Sequence, residues 1–174
     1  MLNAIVLTGG PCAGKSTLVA LLEGLGHPVV HEKAAEVIAE GKKLPWVDAA
    51  AFRQEVLYRQ LDSENALGSH TCLPFEDRGV YDGIAYCIAT GVEVHAFFQG
   101  VDSHRYSLVF LLEGLPFWVN DGVRYEEPAF TSMITSILEQ VYRDKGARVV
   151  RVPFMPVPDR LGFILSEASR IYRG

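Results

Sequence analysis

The sequence predicts an α/β fold, a five-stranded parallel sheet covered by helices on both faces. Three observations carry this. Residues 9–17 read GGPCAGKST, which satisfies G-x-x-x-x-G-K-[ST] at Gly9, Gly14, Lys15 and Ser16. Five short apolar runs alternate with stretches of helical periodicity, as βα units do. Those runs are mostly continuous rather than alternating, the pattern of strands buried on both faces.

The elements follow in order. Ala4-Ile5-Val6-Leu7 lies in a first strand of about residues 3–7. Leu18, Leu21, Leu22 and Leu25 then recur at helical spacing from Lys15 onward, and Gly26 is a natural C-terminal stop. Pro28-Val29-Val30-His31 forms a short second strand. Helical sequence follows, is broken at Gly41 and Pro45, and resumes after Asp48, an N-cap residue. Residues 71–75 are the third strand. Val80, Ile84, Cys87 and Ile88 make the apolar face of the next helix, which Gly91 ends. The run SLVFLL at 107–112 is the strongest strand signal in the chain. Phe130, Met133, Ile134, Ile137, Leu138 and Val141 share one helix face, residues 147–152 form a fifth strand, and Leu161, Ile164, Leu165 and Ala168 place a last helix on the sheet.

With 174 residues, the chain is expected to form one domain, 1–174, with a substantial core. No apolar run reaches membrane-span length, and no basic leader precedes the first strand, so no membrane partner and no secretory signal are expected. Cys12, Cys72 and Cys87 lack metal-ligand spacing and are odd in number, which suits a reducing cytoplasm. A net charge of −5 speaks against a nucleic-acid partner, whose backbone needs a basic footprint.

A strand, a glycine-rich turn and an amphipathic helix are the context in which the 9–17 motif binds phosphate. Gly9, Gly10, Pro11, Cys12, Ala13, Gly14, Lys15, Ser16 and Thr17 are the expected cradle. Backbone N–H groups converge there and the helix N-terminus adds its dipole. Lys15 supplies a point charge toward the β and γ phosphates of ATP, and the Ser16 hydroxyl is a magnesium ligand. Cys12 is either a reactive thiol at a helix N-terminus or a small loop residue.

Ligands of parallel α/β sheets sit at the carboxyl ends of the strands, so the residues there carry the chemistry. Glu32 either reaches a substrate hydroxyl or is a first-turn acid favoured by the helix dipole. Asp77 is placed across from Ser16, where it holds a magnesium-bound water or accepts the proton of an attacking hydroxyl. Arg78 binds a substrate anion or holds a carboxylate. Asp82 and Tyr86, opposite Val80 and Ile84, either line an acceptor pocket or form a solvated face. Glu113 is a rival magnesium carboxylate, ranked below Asp77 because Asp77 has Arg78 beside it. The long segment 113–128, with breakers at Gly114, Pro116, Gly122 and Pro128, reads as a lid. Its Arg124 either closes over the transferring phosphoryl group or pairs with Asp121 or Glu126. The proline-rich run 153–158 stacks on a purine or is a stiff connector. Trp46, Phe52, Tyr58 and Tyr86 form an apolar site for a ring or belong to the core. His95 and His104 are too isolated for a metal site.

The segments IVLTGGPCAGKSTL, VVHEKAAEVIAEG, FEDRGVYDGIAY and LVFLLEGLPFWVNDGVRYEE occur in this order over nearly the whole chain. In them the chain resembles the NadR-like family of P-loop AAA-type ATPase and kinase domains, related to thymidylate and nucleoside kinases. The phosphate loop identifies only the superfamily; the DRG-x-x-DG-x-AY and DG-x-R-Y segments are more specific. The resemblance implies strand order 2-3-1-4-5, ATP and magnesium as ligands, and a mobile lid. It points to Lys15 and Ser16 for phosphate and metal, to Glu32, Asp77 and Arg78 on the acceptor side, and to Arg124 in the lid. One departure is the family's frequent E-A-A-R pattern: here Glu32-Lys33-Ala34-Ala35 leaves Ala35 in the arginine's place, and the acceptor is open. The expected activity is phosphoryl transfer from ATP to a small nucleoside- or nucleotide-like acceptor. The alternatives are an ATP-dependent switch acting on a protein partner and, more weakly, a nucleic-acid end kinase. A homodimer through the apolar 92–101 region is a further expectation.

Overall fold

The computed structural model describes residues 2–67, 73–114 and 128–172. Among the described residues twelve elements follow one another. They are β1 (Leu2–Thr8), α1 (Lys15–Gly24), β2 (Val29–Val30), α2 (Lys33–Ala39), α3 (Ala49–Asn65), β3 (Phe75–Asp77), α4 (Val80–Ala89), a 3₁₀ turn (Ala96–Gly100), β4 (Tyr106–Leu112), α5 (Pro128–Asp144), β5 (Arg148–Val152) and α6 (Val157–Tyr172). The strands form one sheet in the order β2-β3-β1-β4-β5, and every pairing is parallel. This is the expected five-stranded, three-layer architecture.

The period-2 alternation of side chains divides the core between the two faces. Ile5 and Leu7 of β1 and Leu108, Phe110 and Leu112 of β4 pack on one face with Leu18 and Leu22 of α1 and Ile164 and Ala168 of α6. Val6, Val109 and Leu111 point to the other face, against Tyr81 and Ala85 of α4 and Ile134, Leu138 and Tyr142 of α5. Burying a side chain of this size contributes about 1.5–3 kcal/mol, so the two clusters dominate the stability of the sheet.

Local chemistry sets the element ends. Gly26 has φ 87°, its N–H reaches Glu23 O at 2.9 Å, and the His27 N–H reaches Leu22 O at 3.1 Å. This double bond after a left-handed residue terminates α1, as the sequence predicts. Asp48 caps α3 by accepting from the Ala51 N–H at 2.9 Å.

The third strand lies further along the chain than its apolar run suggests. β3 occupies Phe75–Asp77, with Glu76 paired to Val6 and Asp77 to Leu7; residues 68–72 lie outside the described residues. Pairing with β1 carries the strand through two carboxylates, both buried. Asp77 is therefore the last residue of a central strand rather than part of the following turn. In the 92–101 region Phe98 and Val101 are buried within the domain, and the Phe98 ring lies so close to Gly83 that a Cβ there would sit 2.7 Å from it. Val94 is exposed. No described helix is long and apolar enough to cross a membrane.

Candidate active site

The phosphate loop is built by backbone constraint. A Cβ at Gly9 would lie 2.6 Å from the Leu112 carbonyl oxygen, so the loop leaves β1 against the end of β4 only with glycine there. Gly14, at φ 82°, opens α1. Lys15 is 5% exposed, and its Nζ donates to the carbonyls of Gly9 at 3.0 Å and Gly10 at 2.8 Å. Burial, then the nearby Arg78 charge, pushes its amine down to about 7, against the opposing pull of Asp77, Glu32 and Asp82. The Ser16 and Thr17 side chains on the next turn are exposed.

Beside the loop, β3 delivers Asp77 and Arg78. Asp77 is 5% exposed and its Oδ1 has no hydrogen-bond partner among the described residues. Burial, then the Glu32 charge, raises its carboxyl, partly offset by Lys15 and Arg78. Arg78 has φ 68°, a strained conformation for a non-glycine residue. That turn lets its guanidinium face back across the site. Its Nε donates to Glu32 Oε1 at 2.9 Å and its Nη1 to Asp82 Oδ1 at 3.0 Å, and its Cζ lies 5.2 Å from the Tyr86 ring centroid. Burial opposes the Arg78 charge, but Tyr86, Glu32 and Asp82 outweigh it and hold the guanidinium protonated.

Asp82 is no solvated residue. It is 4% exposed and accepts from Thr8 Oγ1 at 2.7 Å, the Gly79 N–H at 3.2 Å, Tyr142 OH at 2.5 Å and Arg78. The helix that carries it packs on β1 and α5 as well as α3, which is why the side opposite Val80 and Ile84 is also buried. Glu113 follows β4 with its carboxylate 3.8 Å from Arg151. Arg124 and most of the predicted lid lie outside the described residues.

A cavity of about 650 Å³ opens beside the loop, touching Pro11, Glu32, Arg78 and Asp82. Phe52, Tyr86 and Phe98 line it, whereas Trp46 and Tyr58 are exposed, neither in the cavity nor in the core. Phe154, after β5, is also exposed. Its size and mixture of apolar walls with few polar groups suit a small organic ligand. The metal chemistry can be judged from the donors. A buried carboxylate oxygen of Asp77 without a partner among the described residues and the exposed hydroxyl of Ser16 are both hard oxygen donors of the kind magnesium takes with a nucleotide phosphate.

Sequence reasoning misses three residues. Arg160, on α6, is 2% exposed and donates to Ala13 O at 2.7 Å, Glu113 O at 2.7 Å and Pro153 O at 3.1 Å. It ties the phosphate loop to the ends of β4 and β5. Its signal is position: Arg160, Ile164 and Ala168 recur every four residues, so a charge stands on a buried stripe. Gln60 and Glu64 likewise continue the buried stripe of α3 after Leu57. The Gln60 Nε2 lies 3.1–3.2 Å from Glu64 Oε1, Glu76 Oε2 and the Arg78 carbonyl, supporting the strained turn from below.

Sheet order, phosphate loop and a buried loop lysine together define a P-loop nucleoside-triphosphatase fold of the kinase or ATPase type. The family model described as an AAA domain matches residues 4–160, and the chain belongs to that family. Among solved structures, thymidylate kinase from Candida albicans is 17% identical, with TM-score 0.62, over 98% of this chain and 92% of that one. Deoxyadenosine kinase from M. mycoides, with products dCMP and a flexible dCDP bound, is 15% identical, with TM-score 0.65, over 96% and 99%. Thymidylate kinase from Ehrlichia chaffeensis is 13% identical, with TM-score 0.63, over 94% and 96%. At these identities the likeness is one of fold. Comparison with curated proteins by sequence gives no match.

Proposed function

We propose that the protein transfers the γ-phosphoryl group of ATP, with magnesium, to a small nucleoside- or nucleotide-like acceptor. The observation that carries this is the cavity of about 650 Å³ sharing Glu32, Arg78 and Asp82 with the edge of the phosphate loop. A hydrolase or a switch needs only the loop; a neighbouring pocket of this size suits a second substrate. The kinases of similar fold act on nucleosides and nucleotides, which agrees with this acceptor class.

In this reading the loop from Gly9 to Thr17 binds the triphosphate. Lys15 leaves the carbonyls of Gly9 and Gly10 for the β and γ phosphates. Ser16 and Asp77 would hold the magnesium, which would supply positive charge to neutralise the phosphates. The acceptor lies in the cavity with its hydroxyl toward Glu32 and Asp77, and one of these carboxylates takes its proton. Arg78 orients Glu32 and Asp82, and Tyr86 covers the Arg78 face. Arg124, from the lid, adds charge stabilisation over the transferring group. The protein works in the cytoplasm without a nucleic-acid or membrane partner, as a monomer or homodimer.

The test is ATP turnover with magnesium, with and without a panel of nucleosides, nucleoside monophosphates and nicotinamide riboside. Stimulation by one compound, abolished by Lys15→Ala in a protein that still folds, is the expected result. Slow hydrolysis that no acceptor stimulates would replace this reading with the ATP-dependent switch.

A further inference from the structure

The cavity contains an arginine that the loop and its carboxylates do not use. Residues Arg53, Val56, Leu57 and Gln60 all line it. They are spaced i, i+3, i+4 and i+7, so one face of α3 forms this wall. The Arg53 Nε is fully buried and has no hydrogen-bond partner among the described residues. Arg78, which also lines the cavity, is held by Glu32 and Asp82. Among the described residues Arg53 has no ion pair.

Arg53 as a whole is half-buried, but a buried donor without an acceptor is uncommon in native proteins. A guanidinium donates only, in a planar fork that matches two oxygens of a carboxylate or phosphate. Gln60 fixes where that group lies. Its Nε2 is anchored 3.2 Å from the Arg78 carbonyl, at the floor of the cavity. Arg53 is seven residues earlier, about 10 Å along the helix axis. The charges acting most strongly on Lys15 are those of Arg78, Asp77, Glu32 and Asp82, with Arg53 outside that group.

We propose that the acceptor carries a second oxyanion, a carboxylate or phosphate, remote from its accepting hydroxyl, and that Arg53 is its binding residue. The proposal rests on the acceptor reading above and narrows its substrate class. Walls built from Phe52, Val56, Leu57 and Phe98 require an apolar or ring-bearing middle between the two polar ends.

Two matched pairs of probes test it, each with a free primary hydroxyl. Nicotinic acid riboside against nicotinamide riboside changes only carboxylate for carboxamide. Adenosine 3′-phosphate against adenosine changes only the phosphate. In one pair kcat/KM for the charged member is expected to exceed that for the neutral one by about tenfold or more, the scale of a charged hydrogen bond. Which pair responds names the oxyanion. Arg53→Gln is expected to abolish that ratio and Arg53→Lys to retain part of it. The wild-type ratio needs no variant, so a misfolded variant leaves the test intact. Neutral probes preferred in both pairs, or a ratio that survives Arg53→Gln, would overturn the role of Arg53 while leaving the kinase reading standing. No turnover of any acceptor by a protein that binds ATP would overturn both.

Discussion

Nucleotide binding should draw a proton onto Lys15. In the free protein, burial and Arg78 bring its amine to about 7. Its two bonds, to the carbonyls of Gly9 and Gly10, are bonds a neutral amine can also make. At pH 8 about nine-tenths of the free protein therefore carries neutral Lys15, and at pH 6 about one-tenth. Phosphate oxygens favour the ammonium form, and opposite charges at contact distance raise such a group by about 1–3 units. Binding of magnesium ATP at pH 8 then takes up between about half and nearly one proton, and at pH 6 about a tenth. Titration calorimetry in buffers of different ionisation enthalpy reads this number directly from the slope of the observed enthalpy. Protons lost from the phosphates have the opposite sign and are largest near pH 6, so they cannot mimic the effect. A slope near zero at pH 8, or equal slopes at both pH values, refutes the reasoning. The same shift makes the free protein gain stability as pH rises from about 7 toward 10.5, because in that window the unfolded lysine holds a proton that the folded one has released.

Three further outcomes follow from buried polar groups. Arg160→Met strips the donor from the carbonyls of Ala13, Glu113 and Pro153. Stability by denaturant titration should fall by about 2–4 kcal/mol, and ADP affinity should weaken at least tenfold; unchanged ADP affinity would show that the loop does not depend on this clamp. Asp82→Asn replaces one carboxylate oxygen with an NH₂ group, so either Thr8 and Arg78 or Gly79 and Tyr142 lose their acceptor. The expected loss is about 2–3 kcal/mol, and an unaltered thermal midpoint counts against that network. Glu76, raised by burial and then by Glu64, keeps its proton in the folded state above the usual 4.5, where the unfolded chain has lost it. Stability contributed by this proton falls as pH rises above about 4.5. Glu76→Gln, an isostere of the neutral acid, should flatten that slope between pH 5 and 8; stability curves parallel to those of the unsubstituted protein would show that Glu76 is ionised when folded.

The architecture is legible because its signals are local. A glycine-rich turn after Ala4-Ile5-Val6-Leu7, the continuous apolar run SLVFLL and the stop at Gly26 each depend on a few neighbouring residues. The third strand is less legible. Glu76 and Asp77 are carboxylates in a central strand, and hydrophobicity alone places that strand too early. Their burial depends on Gln60, Glu64 and Lys15, which come from other elements. Arg160 and Gln60 interrupt apolar stripes, a visible pattern, but the carbonyls that receive them lie as far as 147 positions away. The role of Asp82 is hidden for the same reason. Helix periodicity assigns it to the face opposite Val80, and only the packing of α5 shows that this face is also interior.

The clamp at Arg160 links these long-range contacts to phosphate recognition. A trans peptide directs its C=O and the next N–H to opposite sides. Because Arg160 Nη1 holds the Ala13 oxygen at 2.7 Å, the Gly14 N–H points away from α6. Gly14 also begins α1 in a left-handed conformation, so this is the peptide whose orientation sets the loop's donors. A residue nearly 150 positions away thus fixes a donor that the phosphate-loop motif alone leaves free to rotate. The same arginine grips Glu113 and Pro153, at the ends of β4 and β5. One side chain therefore ties the loop to the ends of both strands. Charge completes the argument. Arg78 is committed to Glu32 and Asp82, which leaves Asp77, with its unpartnered oxygen, facing the loop. A bare triphosphate would meet that carboxylate with like charge, whereas in the proposed reading a divalent cation arriving with the nucleotide would satisfy the oxygen and remove the repulsion.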